Sequence, residues 1–161
     1  MLLDEKYNLK IADFGFAAPI EGKDNSGYLT TKLGTHNYMA PEIHMKEPYQ
    51  GDSVDLFAAS IILFVMVSAH LPFGSAEPND NFYRCLGANR ADLFWRTICK
   101  NKQNKEDYFS DEFKDLITSM LQVQPTHRPS ITEVMGHPWM QLETPCEEEV
   151  FLEFEKRHKQ I

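Results

Sequence analysis

Hydrophobic positions begin in a short, broken alternation and then settle into helical spacing. Leu2-Leu3, a polar stretch from Asp4 to Asn8, and Leu9-Lys10-Ile11-Ala12 predict a small β-hairpin that ends at Asp13-Phe14-Gly15. From Gly15 to about Lys32 the chain is rich in Gly, Asp, Asn, Ser and Thr, which predicts a long loop. Loops of that length inside a domain usually carry function. Beyond it the pattern is helical. The run from Leu56 to Ala69, 14 residues interrupted only by Ser60 and Ser68, is too short to cross a bilayer and predicts a fully buried core helix. Asp52 or Ser53 is placed to cap it.

Capping signals mark the later helices. Ser110 precedes Asp111 and Glu112, whose charges favour a helix N-terminus. Phe113, Leu116, Ile117, Met120 and Leu121 then share one face. Ser130-Ile131-Thr132-Glu133 reads as a capping box directly after Pro129, and Thr144-Pro145-Cys146-Glu147 as a second, with Pro145 at the first helical position. In the final segment Val150, Phe151, Phe154 and Ile161 lie on one side, acids early and bases late, as in an amphipathic helix docking on the domain. The fold class is therefore α+β, mainly α, without internal repeats.

Composition narrows the partners. The 161 residues suit one domain, and 42% hydrophobic with 25% charged is an ordinary globular mixture. Sixteen Lys and Arg against 24 Asp and Glu leave a net charge of −8, which argues against nucleic acid or an anionic membrane as partner. Cys85, Cys99 and Cys146 are odd in number and form no CxxC pair, which favours a reducing compartment over a disulfide framework or zinc site. The start lacks a basic region and a long apolar stretch, so no signal peptide is visible; the expectation is a soluble, cytoplasmic protein. The six histidines show no H-x-x-H or H-E-x-x-H spacing, which favours surface or hydrogen-bonded roles over metal binding. The eight glycines never form G-x-G, so no dinucleotide fingerprint or P-loop is present.

Candidate chemistry begins at Asp13-Phe14-Gly15, where a strand gives way to the long loop. A carboxylate there is a hard oxygen donor suited to Mg²⁺ bridging nucleotide phosphates; a plain turn is the alternative reading. Downstream come Gly34-Thr35-His36-Asn37-Tyr38-Met39-Ala40-Pro41-Glu42, then Asp55 opening the apolar helix, Arg128-Pro129, and His137-Pro138-Trp139. In that order these motifs resemble the C-terminal lobe of a eukaryotic Ser/Thr protein kinase, and the His-Pro-Trp ending looks like the calmodulin-dependent kinase group. The resemblance covers residues 1–140 as a partial kinase domain, with 141–161 as a C-terminal helical tail.

The resemblance implies ATP and Mg²⁺ as cofactors, a protein substrate presenting a Ser or Thr hydroxyl, and an upstream activating kinase. It implies that Asp13 binds metal, that Leu2 packs beneath the adenine ring, and that Phe14 reports active or inactive packing beside Gly15. Residues 13–42 match the activation segment. Thr31 matches its phosphorylated threonine, and Thr35 the hydroxyl that supports the catalytic aspartate and lysine. Glu42 and Arg128 match a buried ion pair tying this segment to the helical core. Asp55 matches the aspartate that accepts N–H bonds from the catalytic loop; beside so apolar a helix a carboxylate needs such donors. Three positions depart from the pattern. Phe57 stands where Trp is common and Ser60 where Gly is common, while Arg84 falls where some basophilic kinases hold an acidic substrate selector.

The 161 residues contain no glycine-rich nucleotide loop, no strand lysine with its helix glutamate, and no His-Arg-Asp loop. The catalytic base is thus expected upstream of Met1, as if an internal methionine had been taken for the start. Two readings remain open at this point: a portion of a Ser/Thr kinase inactive alone, and a non-catalytic kinase-like binding or regulatory module.

Overall fold

The computed structural model describes residues 1–100 and 108–160. The chain falls into two units, one of residues 1–17 with 141–161, the other of residues 18–140.

In the first unit, β1 (Leu2–Leu3) and β2 (Leu9–Lys10) pair antiparallel, Leu2 opposite Lys10 and Leu3 opposite Leu9. The turn between them is organised by Asp4, whose Oδ1 accepts the backbone N–H groups of Lys6 (2.9 Å) and Asn8 (2.8 Å). The Asn8 backbone bond contributes most to holding the Asp4 carboxyl down at about 2. The last helix of the chain, Glu147–His158, belongs to this unit. It begins two residues later than its sequence suggests. Cys146, not Thr144, is the cap, with Glu149 Oε2 accepting the Cys146 N–H at 2.9 Å, and Pro145 lies before it. Its apolar side meets the hairpin turn. Tyr7 stacks on Phe154 (centroids 4.9 Å apart), tilts against Phe151, and donates its hydroxyl to Glu155 at 2.6 Å. Ile161, expected on the same side, lies outside the described residues.

The second unit is helical: α1 (Pro41–His44), α2 (Gly51–Ser68), α3 (Tyr83–Gly87), α4 (Ala91–Cys99), α5 (Asp111–Met120) and α6 (Ile131–Met135). The helix of the first unit is α7. The long loop is present, and Leu29 and Tyr49 close it by exchanging backbone hydrogen bonds of 2.8 and 2.9 Å. Gly22, at φ +71°, is required there, since a Cβ would fall 2.4 Å from the Tyr28 carbonyl oxygen.

Of α2, one face is buried rather than the whole helix. Val54, Phe57, Ser60, Ile61, Phe64 and Ser68 are buried, while Met66 and Val67 are exposed. The reason is geometric: its neighbours, α5 and the turn at His36–Tyr38, cover one stripe and leave the remainder. The helix runs 18 residues, long and apolar enough on those grounds alone to span a bilayer, yet its Phe57, Ile61 and Phe64 sit at the centre of the core. Neither Asp52 nor Ser53 caps it; Gln50 is the cap residue, without a side-chain bond. Ser60 donates its hydroxyl to the Phe57 carbonyl (2.6 Å), satisfying a polar group at a fully buried position.

Phe64, Phe94, Trp95, Phe109 and Phe113 form an aromatic cluster with centroid spacings of 5.1–6.3 Å, at right angles or tilted except for the stacked Phe109–Phe113 pair. The predicted caps of α5 and α6 are in place: Ser110 accepts the Phe113 N–H, and Ser130 and Glu133 bond reciprocally. His137 accepts the Trp139 N–H at Nδ1, so its Nε2 carries the proton donated to Asp115.

Ala69 ends α2 at φ +63°, a left-handed conformation that costs a Cβ-bearing residue roughly 1–2 kcal/mol. Ala69→Gly is therefore expected to stabilise the chain by about 1 kcal/mol, read as a higher urea midpoint at unchanged slope. A lower midpoint would show that the left-handed turn carries no strain.

Candidate active-site platform and its buried ion pair

Pro41 presets the first turn of α1, and the next residue, Glu42, is buried at its base. Arg128 emerges after the turn at Pro125–His127 and reaches it across 86 positions. Nη1 donates to Glu42 Oε1 at 2.7 Å and Nη2 to Oε2 at 2.8 Å, a bidentate pair with side chains 1% and 4% exposed. The remaining guanidinium hydrogens are also used. Nε donates to the Gln122 carbonyl (2.9 Å), Nη2 to that of Val123 (3.3 Å), and Nη1 to the carbonyl and hydroxyl of Ser53 (both 3.2 Å). The Phe57 ring lies 4.9 Å beneath the guanidinium carbon. Sequence reading placed Glu42 and Arg128 together but missed Ser53, read there as a helix cap, and the two carbonyls. Backbone acceptors leave no mark in side-chain identity.

Upstream of Glu42, Thr35 precedes the turn at His36–Tyr38, with its hydroxyl making no capping bond. Asn37 Nδ2 ties this turn to the Gly74 carbonyl at 2.7 Å. Thr31 is exposed, and its carbonyl accepts the Tyr49 hydroxyl at 2.7 Å, so its backbone is held while its side chain faces solvent.

Asp13 has a left-handed backbone (φ +66°), and its Oδ1 accepts the Gly15 N–H at 3.3 Å. Among the described residues it joins no cluster of three metal-ligating side chains. As a hard oxygen donor it fits Mg²⁺ as one ligand of several. Phe14 and Leu2 are 70% and 64% exposed, so neither packs in the described structure.

The catalytic loop expected to donate N–H bonds to Asp55 has no counterpart in the 161 residues. Asp55 keeps solvent contact, and no described side-chain or backbone donor bonds to it. Desolvation by the apolar helix, with the Asp52 charge adding, raises its carboxyl above the ordinary value of 3.8.

With this geometry in hand, comparison with known sequences is decisive. The protein kinase domain family matches residues 1–140. The chain belongs to that family. It is 37% identical over 139 residues to CBL-interacting protein kinase 11 of Oryza sativa subsp. japonica, covering 86% of this chain and 25% of that protein. It is 33% identical over 150 residues to CBL-interacting serine/threonine-protein kinase 20 of Arabidopsis thaliana, covering 90% and 31% respectively. The chain thus spans about a quarter to a third of the length of these relatives.

Two outcomes follow. Arg128→Ala or Glu42→Ala alone strands a buried charge, at a cost of about 3–5 kcal/mol in urea unfolding, whereas the double variant loses less than the sum; strict additivity would deny the coupling. Asp55→Asn should stabilise the chain at pH 7. A raised folded-state pKa means folding disfavours the ionised form, so the deficit is complete above that pKa and vanishes below 3.8. The gain from Asn must shrink as pH falls toward 4, and a pH-independent gain would refute its electrostatic origin.

Proposed function

We propose that this chain is the helical, substrate-side lobe of a Ser/Thr protein kinase that moves the γ-phosphate of ATP to Ser or Thr hydroxyls of proteins. On this reading the 161 residues alone do not complete the reaction. The observation that carries it is the bidentate Glu42–Arg128 pair, which anchors the end of the 13–42 segment to the start of α2 and the turn after α5 and so gives Gly34-Thr35 a fixed base.

The residues divide the work as follows. Asp13 contributes one oxygen ligand to Mg²⁺, and that ion, when bound, neutralises charge on the phosphates. Leu2 offers apolar surface for the adenine ring. Thr35 supports the catalytic groups with its hydroxyl, and Thr31 is the regulatory phosphosite, accessible to an activating kinase. A phosphate there adds about −1.5 to −2 charge, enough to order a loop through arginine contacts. The general base and the phosphate-binding lysine have no counterpart in the 161 residues. Cys85, Cys99 and Cys146 as thiols suit a reducing cytoplasm.

The test is a chimera in which residues 1–140 replace the matching portion of the rice CBL-interacting protein kinase 11, assayed with Mg²⁺–ATP and a Ser/Thr peptide. The chimera should turn over, Asp13→Ala should lower kcat at least about a hundredfold, and Thr31→Ala should abolish activation by an upstream kinase. The 161-residue chain alone should transfer nothing. Turnover by the short chain that disappears in Asp13→Ala would overturn the inactivity. A chimera that melts cooperatively yet never turns over would favour the non-catalytic module.

A further inference from the structure

Three side chains that sequence reading left apart meet on one side of the second unit: His36 from the turn before α1, His44 from the last position of α1, and Glu77 from the connection between α2 and α3. One ligand atom from each lies within 4.8 Å of the others. We propose that His36, His44 and Glu77 form a binding site for a divalent transition-metal ion, Zn²⁺ being the best match, which links the 36–44 stretch to the 74–83 connection.

Geometry supports the class of ion. Two ligands on a tetrahedral Zn²⁺, each roughly 2.0–2.1 Å from the metal, sit about 3.3–3.4 Å apart. His36 Nε2 and Glu77 Oε2 are 3.4 Å apart. The His36 and His44 rings meet edge to face at 4.5 Å. Two imidazoles with one carboxylate select a borderline metal and reject Mg²⁺ or Ca²⁺, which demand oxygen. His36 remains half exposed, leaving room for water at a fourth position.

An ion pair between His36 and Glu77 accounts for only part of this cluster. Among the described residues, neither ring nitrogen of His44 has a hydrogen-bond partner although both are buried, an arrangement that native interiors avoid. A metal would use one of them.

The frame is already built. Asn37 bonds the Gly74 carbonyl, joining the His36 turn to the Glu77 connection. That connection is braced by Asp80, which accepts the N–H groups of Gly74, Ser75, Phe82 and Tyr83 at 2.9–3.4 Å. Ala76, beside Glu77, is buried at 1% exposure. The ligands therefore sit on fixed backbone, as metal sites require. The site is independent of the kinase reading, since none of its atoms belongs to the catalytic assignment.

The experiment titrates the 161-residue chain with Co²⁺, Zn²⁺ and Mg²⁺, following cobalt d–d absorption, heat and melting temperature. One Co²⁺ per chain should bind with the visible spectrum of a four-coordinate site, Zn²⁺ should displace it and raise the melting temperature, and Mg²⁺ should do neither. H36Q, H44Q and E77Q should each weaken Zn²⁺ more than about tenfold, and H158Q should not. His36 and Glu77 are partly solvated, so H36Q and E77Q keep the test valid even where H44Q perturbs folding. Absence of stoichiometric binding, or binding unchanged in both H36Q and E77Q, overturns the site.

Discussion

The helical unit depends on one desolvated charge pair. Glu42 and Arg128 are almost wholly removed from water, and an isolated charge in that position would be intolerable. What makes the pair tolerable is complete satisfaction. The carboxylate takes two parallel bonds, and the guanidinium spends its other hydrogens on Gln122, Val123 and Ser53. Each partner sits on a different stretch of chain, so the pair fixes α1, the start of α2 and the turn just after α5 in one register. Phe57 beneath the guanidinium explains how an aromatic smaller than Trp still serves at that position: it fills the space and offers a π face to the cation.

Hydrophobic surface is distributed unevenly around this anchor. The aromatic cluster is densely packed, with Phe57, Phe64 and Phe94 fully buried. Leu2, Leu9, Ile11, Phe14, Phe16, Met66 and Val67 are exposed. Groups of large apolar side chains open to water are a common feature of surfaces that meet other protein. Asp55 is a carboxylate desolvated by its helix, with no compensating donor among the described residues.

The 34–44 stretch carries two kinds of constraint side by side. Its end is locked by Glu42, and its start is tied through Asn37 to the connection after α2. His36 and His44 flank the same stretch, so a metal ion there would add a third, reversible tie. Position, not catalysis, is what all three control.

Local sequence determined the elements whose signals are local. The hairpin, the caps at Ser110 and Ser130 and the buried face of α5 follow from residue spacing, because hydrogen bonds and faces within a few residues are set by neighbours. The order of Asp13-Phe14-Gly15, Ala40-Pro41-Glu42 and Arg128 likewise pointed to the family and to the ion pair. Tertiary structure alone decided which stripe of α2 is covered, since an all-apolar helix has no preferred side until neighbours choose one. It decided that Tyr7 receives α7 and that Ser53 and two carbonyls complete the Arg128 shell. It also gathered His36, His44 and Glu77, whose spacing matches no motif. Ligand geometry is a property of distances in space, and a chain folded back on itself sets those distances through contacts that no short stretch of sequence encodes.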